Sequence, residues 1–145
     1  MNDFIKVKFK FYTTHYAISK VLDKLVDREI MSLDFETQSI YSVEERAEAK
    51  ELVKKYQDEL NSEDLRLSKV VANCSGLSHP SITKTTHAIF GLSEDESVVL
   101  VLNTPEIEQY VMNWITQFTG KFIIHNSLFD LKIIHYRTGK FPKDI

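Results

Sequence analysis

The sequence predicts an α/β protein built on one mixed β-sheet flanked by helices. Three observations lead there. Segments with the two-residue apolar period of strands alternate with segments of helical period. Three strand-like runs follow one another in mid-chain before that alternation resumes, and consecutive strands pair antiparallel where strand–helix–strand units pair in parallel. The 145 residues, 43% apolar and 27% charged, are one domain's worth of globular composition.

Taken in order, residues 4–12 set Ile5, Val7, Phe9 and Phe11 against Lys6, Lys8 and Lys10. One apolar face at period two predicts a half-buried strand. Thr13 and Thr14 can cap a helix over 15–27, where Tyr16, Ala17, Ile18, Val21, Leu22, Leu25 and Val26 recur at helical spacing. Ile30–Phe35 reads as a buried strand. Val43–Leu60 is rich in helix formers with a thin apolar stripe, so a surface helix or helical arm is expected there, inserted between strands. Strands are expected over Leu67–Leu77, Thr86–Leu92 and Val98–Leu102. Pro105 opens an amphipathic helix to Phe118, with Trp114 on its apolar stripe, and Gly120 stops it. Lys121–Ile124 is a further buried strand, and a helix runs from Ser127 to about Thr138, closed by Gly139.

Composition excludes several classes. One cysteine, Cys74, forms no internal disulfide, which points to a reducing compartment. The net charge of −3 gives no global basic field to attract nucleic acid, though a local site neutralised by metal ions stays open. The polar start MNDFIKVK has no signal-peptide core and no apolar run approaches membrane-spanning length, so a cytoplasmic protein without a membrane partner is expected. The five histidines lack zinc spacing, the isolated glycines form no phosphate loop, and no serine has a nucleophile-elbow context.

Chemistry concentrates in two segments. Asp34 and Glu36 are two apart at the end of the Ile30–Phe35 strand, so their side chains share a face. Adjacent carboxylates repel unless a cation sits between them, which suits a hard ion of the Mg²⁺ or Mn²⁺ type. Asp27 and Glu29 have the same spacing but fall in a polar junction and read as solvated surface. The second segment, His125-Asn126-Ser127-Leu128-Phe129-Asp130-Leu131-Lys132, breaks from a strand directly into a helix with Asp130 in the first turn. Read locally, Asn126 or Ser127 caps that helix and Asp130 suits its dipole.

Taken together and in this order, a strand ending D-x-E-T and a later strand followed by H-N-x-x-F-D-L-K resemble the first and second motifs of the DEDD exonuclease superfamily. The likeness is nearest to the 3′–5′ proofreading domain of family A, polymerase I-like DNA polymerases of the phage type, and it spans nearly the whole chain. It implies a ribonuclease H-like fold and two-metal hydrolysis of phosphodiester bonds at a single-stranded DNA 3′ end, with two Mg²⁺ or Mn²⁺ ions. By position, Asp34 would bridge both ions, Glu36 would ligate one and orient the attacking water, and Asp130 would hold the other. Thr37, Asn126 and Phe129 would lie against the substrate. The setting implied is the cytoplasm of a bacterium or a phage-infected host.

The resemblance also calls for a fourth carboxylate preceded by Tyr or His at four residues' distance, well downstream of Asp130. Asp144 is too near and has Lys140 in that place. The expectation is therefore the N-terminal part of such a domain, residues 1–145 with a helical insertion at about 43–60, incomplete at its C-terminus. It would be a piece of a longer polymerase or nuclease, one half of a split protein, or an inactive relative kept as a nucleic-acid or protein interaction module. A ribonuclease D-like enzyme acting on RNA is the other catalytic alternative.

Overall fold

The computed structural model describes residues 7–39, 43–62, 83–125 and 127–145. The strand expected over Leu67–Leu77, residue Asn126, Cys74 and the first residues of the opening strand lie outside them. The described residues form an α/β fold of five strands and four helices, in the order β1 (Lys8–Tyr12), α1 (His15–Leu25), β2 (Ile30–Ser39), α2 (Val43–Ser62), β3 (Thr83–Gly91), β4 (Glu96–Val101), α3 (Pro105–Gln117), β5 (Lys121–Ile123) and α4 (Ser127–Thr138). Threonines begin two of the helices. The Thr14 hydroxyl accepts from the Ala17 N–H at 3.1 Å, and that of Thr104 from the Ile107 N–H at 3.2 Å, ahead of Pro105 in the first turn of α3. Gly139, at φ +72°, ends α4 in the left-handed conformation that glycine adopts without strain.

Strand order across the sheet is β1-β4-β3-β2-β5. β1 runs parallel to β4 and β2 parallel to β5, while β3 is antiparallel to both β2 and β4. The sheet is therefore mixed, with β3 alone reversed. One face is the core: Met31, Leu33 and Phe35 of β2, Ala88 and Phe90 of β3, Val98 and Leu100 of β4 and Phe122 of β5 are buried together with Ile18, Leu22, Val111, Met112 and Ile115 of α1 and α3. Burying such side chains stabilises by about 1.5–3 kcal/mol each. Trp114 packs, partly buried, on this cluster and stacks on Phe118.

Several expectations need correction. The apolar side of the first strand is not half-buried: Phe9 and Phe11 are 52% and 65% exposed, because β1 is an edge strand whose alternate residues share the sheet's outer face with Ser97 and Val99. β2 is longer than expected and buries one face only; Ser32, Asp34 and Glu36 are exposed. β5 buries Phe122 alone, with Ile123 54% exposed. The helical arm is not a purely solvated face. Tyr56 and Leu60 of α2 are buried against Leu131 of α4, and the Tyr56 hydroxyl bonds the Lys132 carbonyl at 3.1 Å and His135 Nδ1 at 3.0 Å. Periodicity reports an apolar face but not which neighbour covers it, and that choice decided all four cases.

Candidate functional site

The site grows from the pairing of β2 with β5. Ile30, Met31 and Ser32 lie in parallel register with Lys121, Phe122 and Ile123. Asp34 therefore projects just past the last paired residue of β5, where the chain turns into α4. β5 stops beside Ser32 while β2 runs on to Ser39, and the first turn of α4 brings Asp130 close to Asp34 in the middle of β2. Ligands commonly bind at such strand ends in α/β sheets.

Alternation on β2 places Asp34 and Glu36 on the exposed outer face while Leu33 and Phe35 enter the core. A β-bulge follows Glu36, where the register with β3 shifts, and the Thr86 hydroxyl donates to the Glu36 carbonyl at 3.1 Å. Bulges of this kind re-aim side chains and are frequent beside functional sites. Thr37, half-buried, lies just beyond it, opposite the buried Thr85.

Asp130 is the unusual member. It is 1% exposed, and neither carboxylate oxygen has a hydrogen-bond partner among the described residues. Burial, aided by the neighbouring charge of Asp34 and opposed in part by the Phe35 backbone, raises its pKa from 3.8 to about 7. A carboxylate in the first turn of a helix ordinarily stays wet or caps free N–H groups. Asp130 does neither, although its place in the first turn of α4 still suits the helix dipole. Its desolvation, with nothing to satisfy two oxygens, costs on the order of 1–3 kcal/mol or more.

The structure thus brings Asp130 to Asp34, with Glu36 one pleat further along the same strand. Among the described residues no three Asp, Glu, His or Cys side chains converge as a ready-made metal cluster. The donor set nonetheless suits a hard cation: the unpaired oxygens of Asp130 lie within electrostatic reach of the exposed Asp34 carboxylate. Phe129 is partly buried against the main core, and His125 is exposed in the turn before α4. Asp27 and Glu29 are exposed near the start of β2, as their polar context suggests.

One neighbour of the acids was not singled out from the sequence. His87 is the cross-strand partner of Glu36, and its Nδ1 lies 2.8 Å from the Thr86 hydroxyl. When that hydroxyl donates to the Glu36 carbonyl, Nδ1 is the donor in its contact with Thr86. Only strand register reveals the pairing. No known family model matches the chain, and no curated protein matches it by sequence. Among the described residues no helix is long and apolar enough to cross a membrane.

Proposed function

We propose that the chain is a ribonuclease H-like nuclease domain, or part of one, that hydrolyses phosphodiester bonds at the 3′ end of single-stranded DNA with divalent metal ions, in the manner of the DEDD exonucleases and the proofreading domains of polymerase I-like DNA polymerases. One observation carries the reading: a buried carboxylate with both oxygens unpaired stands within electrostatic reach of a second, exposed carboxylate. A carboxylate so placed lacks a partner among the described residues, and a cation would supply it. The motif order and the meeting of β2 and β5 support the same conclusion.

Asp34 and Asp130 would hold the ion between them, with Glu36 reaching from the next outward position on β2. Bound there, Mg²⁺ or Mn²⁺ would supply Lewis-acid stabilisation of the charge that develops on the phosphate and the leaving 3′-oxygen. The protein's own contribution is to lose the Asp130 proton on loading, to keep one carboxylate dry for strong electrostatics, and to leave Asp34 and Glu36 open to the incoming strand. Glu36 orients the attacking water. The backbone at Thr37, just past the bulge, lies where a terminal nucleotide would rest.

The test is hydrolysis of 5′-labelled single-stranded DNA and RNA oligonucleotides by the purified chain in Mn²⁺, beside Asp34→Ala/Glu36→Ala prepared identically. The expected result is stepwise shortening of DNA from its 3′ end that the double substitution abolishes. Shortening confined to RNA would favour a ribonuclease D-like enzyme. No shortening of either strand by the folded chain would contradict autonomous hydrolysis.

A further inference from the structure

Beyond Glu36 the sheet ends at a cavity of about 290 Å³, bounded by the start of β3, the end of β4, the first turn of α3 and the last turn of α4. Leu102 and Pro105 give it an apolar wall, and Lys84 and Arg137 bring two cations against the single carboxylate of Glu108. Arg137 Nε meets Glu108 at 2.8 Å, so that carboxylate is answered within the lining and the charge of the exposed Lys84 is in excess. The walls are held before any ligand arrives. Gln109 Nε2 donates to the Arg137 carbonyl at 3.2 Å and to Asn113 Oδ1 at 3.0 Å, which ties α3 to the end of α4. The Leu102 N–H donates to the Thr86 carbonyl at 2.9 Å, and the Thr86 hydroxyl donates to the Glu36 carbonyl, so one residue joins the cavity to the acidic strand. Register sets Lys84 opposite Gln38, two residues past Glu36. At ordinary strand spacings the Lys84 and Glu36 backbones are roughly 8 Å apart.

We infer that this cavity is a nucleotide-binding subsite, in which the phosphate of one nucleotide meets Lys84 and Arg137 while its sugar and base lie against Leu102 and Pro105. The cavity's own chemistry asks for an anion with an apolar body, and its volume suits a single nucleotide unit. The choice of a nucleotide rests on the proposed function: a strand whose 3′ end lies at Asp34 and Glu36 has its next unit within reach of Lys84. Ammonium and guanidinium groups bind phosphate oxygens through charge-assisted hydrogen bonds. Inorganic phosphate would use the cations but leave the apolar wall in water. A nucleoside without its phosphate would cover that wall yet leave Lys84 with no anion. Contacts to phosphate position a strand without reading its sequence, so no base preference is expected from the two cations.

The experiment is a chemical-shift titration of the full chain with thymidine 5′-monophosphate, thymidine and inorganic phosphate, in EDTA so that no divalent metal contributes. The monophosphate should bind most tightly of the three, and Lys84→Gln should weaken it about tenfold. Lys121→Gln removes the same charge beside the opposite end of β2 and should bind as the parent does. In Mn²⁺, Lys84→Gln should raise KM for a single-stranded oligonucleotide while kcat changes little. Equal affinity of the parent and Lys84→Gln overturns the inference, as does a parent that fails to bind the monophosphate. It is overturned too if Lys121→Gln weakens binding as much as Lys84→Gln, since affinity would then follow net charge alone. Inorganic phosphate that binds as tightly as the monophosphate reduces the cavity to an anion site and removes the nucleotide. If Asp34→Asn leaves cleavage unchanged while Lys84→Gln loses the monophosphate, the metal reading falls and the subsite stands. If metal-dependent cleavage needs Asp34 but neither KM nor monophosphate affinity responds to Lys84→Gln, only the subsite falls.

Discussion

At Asp130 a single proton links stability to metal binding. Its pKa is raised from 3.8 to about 7, so between those values the folded chain holds a proton that the unfolded chain has released. Folding stability is therefore fully present below pH 4 with respect to this group and falls as pH rises toward 7, by up to about 4 kcal/mol. Asp130→Asn should remove that fall and be more stable than the parent at pH 7.5, which denaturant titrations at pH 4.5 and 7.5 would check. The same substitution should weaken Mn²⁺ binding. In the parent, Mn²⁺ affinity should rise from pH 6 to pH 8, because the ion competes with the proton; a flat profile in calorimetric titrations would place the ion elsewhere. The paired acids on β2 were legible from alternation, since Asp34 and Glu36 stand between buried Leu33 and Phe35. The meeting of Asp34 with Asp130 was legible only through the motif resemblance. Local spacing says nothing about residues so far apart in the chain, and burial of Asp130 ran against its helix-start context.

Elements with strong end signals were the most legible. Thr14, Thr104, Pro105 and Gly139 mark helix ends that the structure places within a few residues of expectation, because their signals are local hydrogen bonds and backbone preferences. Edge and cover were not legible. Phe9 and Phe11 alternate as core residues would, yet β1 lies at the border of the sheet. The docking of α2 likewise rests on cover from α4, with Tyr56 and Leu60 packed against Leu131 and the Tyr56 hydroxyl bonded to the Lys132 carbonyl and His135. Tyr56→Phe should cost about 1 kcal/mol of stability, and Leu60→Ala about 2–5 kcal/mol, in chemical denaturation. Gly120→Ala should also destabilise, because an added Cβ would meet the Arg28 carbonyl at the entrance to β5, where the Lys121 N–H donates to Glu29 at 2.8 Å. If Gly120→Ala melts with the parent, the close approach of these two segments is not required for folding.

For the whole molecule, topology does what no element does alone. The helices α1 and α3 carry the chain across the core face, so β2 and β5 become parallel neighbours and the end of β5 meets the middle of β2. On the outer face Asp34 and Glu36 are exposed, and the exposed rings of Phe9 and Phe11 stand on the edge strand β1. A net charge of −3 gives no global field to attract nucleic acid, so under the proposed function recognition would be local, through metal ions held by the acids. Everything functional then depends on whether the two aspartates hold a cation. Electron paramagnetic resonance titration of Mn²⁺ into the chain at pH 7.5 tests this directly, beside Asp34→Asn/Asp130→Asn and a Glu29→Gln control. Saturable binding that the double substitution weakens at least tenfold and the control leaves intact is the predicted result. Equal binding by all three chains would contradict it.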